Sequence, residues 1–391
     1  MDRAPAGCGG KMHRFQKSEK ESKKNWILVE LFRKFIRFAM SLFMIAASLL
    51  PLSSIAQAAT TYFISPTGND SANGKSDATA FKTLQKGASV LIAGDTLMVR
   101  PGTYAGFVMG WDFAQNGTAT APITIKADPG AVINSRNNKT PDGINLEGAS
   151  FIVIDGFTMN NPSSTMTRAG IRSVGNQGVV IRNNKVDGMG TWGIFTSFSE
   201  NILIENNIAS NSVKQHGIYH SNSGDHPIIR GNQSFGNAQC GIHMNGDLSQ
   251  GGDGLISFGL VENNIVHDNG AGGGAGINMD GVQDSIVQNN LLYNNHASGI
   301  TMFQADGAQG PGRNKILNNT IHMASNSRWS LRLTNEVDTI EVKNNNLKAK
   351  SLKFFVAQYQ TPYAVKVSAH PPFQDGVVHN HPHYRAGRMI A

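Results

Sequence analysis

His243, Tyr219, Asn278, Asn245 and Asp280 sit on short apolar segments that each open with Gly-Ile, and their spacing decides which of them can act together. In a strand, alternate side chains face opposite sides. If the Ile of each Gly-Ile points inward, so do Thr196, His220, Met244, Met279 and Met302. Phe195, Ser197, Tyr219, Ser221, His243, Asn245, Asn278, Asp280, Thr301 and Phe303 then point outward. Stacked about 4.8 Å apart, the segments would place Tyr219, His243 and Asn278 in one column, with Asn245 and Asp280 in another. A β-elimination needs a donor or cation for the developing negative charge, a base for the abstracted proton and an acid for the leaving oxygen. His243 could be the base. Tyr219 could be the acid or share both steps, and Asp280 joins them as a catalytic candidate. Asn245, Asn278, Phe195 and Thr301 would contact the substrate. Asn245, Asn278 and Asp280 could also hold a hard cation such as Ca²⁺, with Asp247 and Asp253 as further metal ligands. The plainer alternatives are a structural imidazole at His243 and turn-forming carboxylates at Asp247 and Asp253, each beside a glycine. Hydrolysis would instead pair Asp280 with Asp247, Asp253 or Asp306, at roughly 5 to 10 Å.

The elements that would position these groups repeat. Gly-Ile occurs at Gly143, Gly170, Gly193, Gly217, Gly241, Gly276 and Gly299, with a degenerate copy at Ser330-Leu331. Between them lie apolar runs that end in Asn-Asn or Gly-Asn. These runs put an Asn at 184, 207, 232, 264, 290, 319 and 345. Ile, Val and Leu broken by Gly, Asn, Asp and Ser signal strands and turns. Units this short cannot bury their own apolar face and must stack, so the repeat predicts a solenoid of parallel strands. A column of Asn amides would bridge successive coils and is architecture, not chemistry. Cys240, next to a Gly-Ile, reads as a small packed residue. His220 is expected inside, and His216 and His226 at turns. The long links Gly246 to Gly259 and Gln304 to Arg313 should emerge on one flank of the outward strip, and the Gly-rich stretch 270–276 on the other. Two raised flanks around a polar strip make a groove suited to a linear polymer.

On these repeats the chain resembles the right-handed parallel β-helix proteins of the pectate-lyase-like superfamily. The resemblance covers about residues 60 to 348. It implies an all-β fold and a polysaccharide-acting protein, with a lyase favoured and a hydrolase second. Tyr62 to Asp70 looks like the opening segment of such proteins. Phe81 to Leu91, with apolar residues near helical spacing, is expected to form an N-terminal helical cap. The chain departs from several members. It has no Gly-His-Gly or Arg-Ile-Lys of a polygalacturonase and no Asp-Pro-His of many mannuronan epimerases. No pectate-lyase set of Lys and Arg can be placed on the strip, since Arg172 lies two coils away and Lys214 precedes its strand.

Residues 1–58 read as a basic leader and signal peptide: ten Lys or Arg precede or flank the apolar stretch Phe38 to Leu52, and Ala56-Gln57-Ala58 follows. Residues 59–100 read as cap and first strand, 101–348 as the β-helix and 349–391 as an irregular tail or C-terminal cap. The leader carries ten basic and four acidic residues, so +6 of the formal +7 leaves with it. The mature chain offers no case for nucleic acid. With Cys8 gone, Cys240 has no intrachain partner. His379, His381 and His383 are a weak metal motif in the tail. The expectation is a secreted or periplasmic monomer with no membrane span after cleavage. Its partner would be a polysaccharide, and a non-catalytic carbohydrate-binding or structural surface protein is the alternative.

Overall fold

The chain divides into two units, Met1–Gln57 and Ala58–Ala391. The structure, a computed structural model, describes residues 58–348 together with Ala364–Ser368, Phe373–Asp375 and Val378–Pro382. The expected leader lies outside the described residues apart from its last residue, as does His383. Among the described residues no helix is long and apolar enough to cross a membrane.

Each coil contributes one strand to each of three parallel sheets, of eleven, nine and ten strands. The Gly-Ile strands make the nine-stranded sheet. The apolar run of each repeat fills the eleven-stranded sheet, and the short strand after Asn-Asn fills the ten-stranded one. Ile144, Ile171, Ile194, Ile218, Ile242, Ile277 and Ile300 are all 0% exposed, so the apolar column of the Gly-Ile strands is the core, as their alternation requires. The glycine before each Ile has a steric cause. A Cβ on Gly193 would lie 2.6 Å from the carbonyl oxygen of Gly217 in the next coil.

The paired asparagines divide two tasks. The first of each pair takes the left-handed conformation, with φ of 56° at Asn183, 54° at Asn206 and 56° at Asn263, where Asn is one of the few tolerated side chains. The second is buried and bonded to its counterpart one coil on. Asn184, Asn207, Asn232, Asn264, Asn290, Asn319 and Asn345 form an unbroken ladder of side-chain amides 2.9–3.1 Å apart. A shorter ladder, Asn237, Asn269 and Asn295, runs along another corner.

The one α-helix among the described residues, Leu84–Ala88, is five residues long and is capped by the Thr83 side chain. Its Leu84 and Ala88 enter the core. Gln85 donates to the Val108 carbonyl and accepts from the Val108 amide, on the edge strand Phe107–Gly110 of the nine-stranded sheet.

Candidate functional site

The nine-stranded sheet sets Arg172, Phe195, Tyr219, His243, Asn278, Thr301 and Arg332 directly beside one another, one per coil. Of the candidate site residues, the structure therefore gathers Phe195, Tyr219, His243, Asn278 and Thr301 into one column. Arg332 was missed, although the degenerate Ser330-Leu331 copy carries the signal: the residue after that Leu occupies the outward position. Trp192, Phe195, Tyr219, His216 and His243 form a continuous aromatic cluster. Trp192 and Phe195 stack at 4.4 Å, and Tyr219 and His243 at 4.8 Å with 13° between their planes. Trp111, 45% exposed, extends this surface by donating its indole N–H to Asn145 one coil before Arg172.

His216 is not a rim residue. It is 5% exposed and linked to His243, and counting protons fixes both rings. The Cys240 backbone N–H donates to His216 Nδ1, 3.2 Å away. A neutral His216 must then carry its proton on Nε2, which faces His243 Nδ1 at 3.0 Å. His243 is left with its proton on Nε2, 3.0 Å from the Asn278 amide group. An amide's oxygen and nitrogen exchange by a half-turn, and only the oxygen can accept that proton. Burial holds both imidazoles neutral. It pulls His243 down to about 3 and His216 well below its ordinary value, where proximity to His243 adds to the effect. The expectation that His243 is the base therefore needs correction. Its single lone pair is filled by the His216 N–H, and what it presents is a donor. Tyr219 is suited to the acid role, because burial, followed by the charges of Asp247 and Asp306, raises its phenol and keeps it protonated.

The second column, Ser197, Ser221, Asn245 and Asp280, keeps its register but not its exposure: these residues are 1%, 2%, 5% and 0% exposed. The two long links do leave on one flank, where they bond to each other through Leu248 N–H to the Asp306 carbonyl and Ala308 N–H to the Gly254 carbonyl. They close over this column, and in the His243 column Arg172, Tyr219, His243 and Arg332 stay half-buried while Phe195, Asn278 and Thr301 are buried. Asp280 accepts from the backbone N–H groups of Ala305, Asp306 and Gly307. Its carboxylate is thereby committed to the loop, which removes it from the catalytic candidates and from any carboxylate pair. Replacing Asp280 with Ala should strand three N–H groups at a cost of about 2–4 kcal/mol and open residues 304–313 to limited proteolysis. Asp280→Asn should lose less. Equal protease resistance in both variants would show that the loop holds itself.

Asp247 caps the 3₁₀ turn Leu248–Gln250 through Ser249, and Asp253 accepts from the Leu255 N–H. Both are turn-formers, and among the described residues no group of three carboxylates gathers around them. Among the described residues, the one trio of metal-capable side chains with donor atoms within 4.8 Å of one another is His216, Cys240 and His243. Cys240 is buried, and burial pushes its thiol up to about 12. It lies under the Gly-rich stretch on the flank opposite the long links, where a Cβ on Gly274 would come within 2.7 Å of its Sγ. His220 is fully buried, as its inward position demands, and holds Thr196 Oγ1 at 2.8 Å and the Gly224 carbonyl at 3.0 Å. His226 stacks on Phe258.

A family model described as "Periplasmic copper-binding protein (NosD)" matches residues 90–251, less than half of the chain. No curated protein matches. Among solved structures, pectate lyase Pel9A shares the fold with a TM-score of 0.52 and 15% identity, covering 82% of this chain and 88% of its own. An alginate lyase from Paenibacillus sp. str. FPU-7 aligns at TM-score 0.48 and 19% identity, over 68% of this chain and 96% of its own. With three parallel sheets, one strand of each per coil, and the pectate-lyase match over most of both chains, this chain has the right-handed parallel β-helix fold.

Proposed function

We propose that this is an exported protein that binds a polysaccharide along the His243 column and acts on it, with β-elimination as the first chemistry and hydrolysis second. The observation that carries this reading is the unbroken outward column of Arg172, Phe195, Tyr219, His243, Asn278, Thr301 and Arg332. Aromatic faces interleaved with polar groups over several coils suit a linear chain of sugars. In cleavage Tyr219 would protonate the leaving oxygen while the α-proton passes to solvent water, with the Asn278 N–H₂ group orienting the sugar as a donor. Export accords with the periplasmic description of the matching family.

A second reading, non-catalytic carbohydrate binding, is favoured by one observation: the His243 lone pair is already occupied. The discriminating experiment incubates residues 59–391 with a panel of plant and bacterial polysaccharides, following the ultraviolet absorbance of unsaturated products and the release of reducing ends. Absorbance that rises in wild type and falls at least about a hundredfold in Tyr219→Phe marks elimination. Reducing ends alone mark hydrolysis. Retention of polymer without either signal marks a binding protein, and no retention of any polymer removes the proposal.

Among the described residues, a copper site of the kind named for the matching family would have to use His216, Cys240 and His243. The residues do not fit it as arranged. The one lone pair of each neutral ring is filled by an N–H donor, and the thiol is held protonated by burial. Copper binding is therefore not part of the proposed activity.

A further inference from the structure

The outer face of the eleven-stranded sheet is apolar where a solvated sheet would be polar. Val180, Leu203, Ile228, Leu260 and Ile286 stand in register on its outward side, one per coil, and each is only half-buried. Two residues further along each strand, a second column alternates in sign: Asp155, Arg182, Glu205, Arg230 and Glu262. On the other side of the aliphatic column, the turn residues His226 and Phe258 stack at 5.0 Å. Phe258 is 53% exposed and has φ of 58°, a conformation that bulky side chains rarely take. An aliphatic spine with an exposed aromatic ring at its edge, continued over several coils, marks an interaction surface.

The charges say which partner it fits. A second copy related by a twofold axis along the strand direction sets each column against itself in reverse order. With that axis between the coils of Leu203 and Ile228, Glu205 faces Arg230 and Arg182 faces Glu262, and the aliphatic columns meet. Moving the axis half a coil, onto Leu203, would instead oppose Asp155 to Glu262 and Arg182 to Arg230. The alternation therefore selects the staggered register. The groups it pairs are available. Arg182 gives only its Nε–H, to Asp155, while Glu262 accepts from Gln288 and meets no cation among the described residues. Opposite Phe258 stands Gly178, beside the Phe151 ring, so the protruding ring meets a gap and an aromatic neighbour. We propose that this face is the interface of a dimer of this chain, antiparallel about that axis, in place of the monomer expected from the sequence. Six coils, each a strand and its turn wide, would bury roughly 1,000 Å² in total, enough for a specific but modest interface. The nine-stranded sheet takes no part, so the dimer stands whatever the His243 column binds, and it carries two such columns running in opposite directions.

Residues 58–391 form a compact unit by themselves, and in sedimentation velocity they should show a monomer–dimer equilibrium with a dissociation constant on the order of micromolar. Arg182→Glu and Glu262→Arg should each weaken self-association at least about tenfold. Mixed in equal amounts, the two variants should pair with each other at near wild-type strength, because across the axis each then meets its opposite charge twice. Phe258→Asn, which suits a left-handed turn, should weaken the dimer at least about tenfold without lowering the melting temperature. Thermal melts matching wild type show that the charge variants fold, and where one does not, Phe258→Asn decides. A wild-type chain still monomeric at about 100 µM, folded charge variants that self-associate like wild type or fail to pair when mixed, or a dimer indifferent to Phe258→Asn overturns the interface.

Discussion

Asn264→Ala is expected to destabilise the protein by about 4 kcal/mol, more than any substitution on the outer face. Its side chain accepts from both the backbone N–H and the amide of Asn232, and donates to the Ile229 carbonyl and to Asn290. Removing it leaves buried donors and an acceptor unmatched, each worth about 1–3 kcal/mol when fully desolvated and not strictly additive. The neighbouring Asn263→Gly is the control. Asn263 has φ of 56°, a conformation glycine adopts freely, so the change should stay within about 1 kcal/mol. Urea unfolding of both variants decides. An Asn264→Ala midpoint close to wild type would mean that the ladder is replaceable by water and is not a structural spine.

The second large effect is acid sensitivity well above the range where carboxylates titrate. His243 has its pKa lowered to about 3, and His216 and His220 are also lowered, all chiefly by burial. Unfolding releases these rings to an ordinary value near 6.5. Between about 6.5 and the folded value the unfolded chain binds more protons, so stability rises with pH and is lost as pH falls below about 6.5. For His243 alone the whole window amounts to on the order of 4 kcal/mol. Asp142, whose carboxyl is lowered by the Arg168 guanidinium and Asn145 against the opposing effect of burial, contributes a separate loss that begins only below about 3.8. Urea midpoints at pH 7.5, 5.5 and 4.5 should fall progressively, and His243→Gln should remove about 1.4 kcal/mol per pH unit from the slope. Midpoints that stay level down to pH 4.5 would show that these rings accept protons without unfolding, and with that the closed proton chain would be lost.

The proton chain also bears on catalysis. A histidine on an outward strand looks like a base until its partner is known. Here the partner is His216, one coil earlier, and the backbone N–H of Cys240 fixes the tautomer of both rings. In the proposed function the acid role therefore belongs to Tyr219, and His243 stays out of the proton transfers.

What the amino-acid sequence determined by itself is everything that repeats. In a solenoid each residue meets its counterpart in the next coil, so an offset in the chain converts directly to a neighbour in space. The asparagine ladder, the buried Ile column and the register of Tyr219, His243 and Asn278 were all legible for that reason. Arg332 followed the same rule and was overlooked only because its repeat had lost its Gly-Ile. What the tertiary structure alone decided lies where the repeat is interrupted. The paths of the links 246–259 and 304–313 are not periodic, and nothing in their composition says that they fold over Asn245 and Asp280 instead of standing beside them. The same holds for partners. Whether a carboxylate meets substrate or three backbone N–H groups, and whether an imidazole keeps its lone pair, depends on where non-repeating backbone comes to rest, because a hydrogen bond is decided over a few tenths of an ångström.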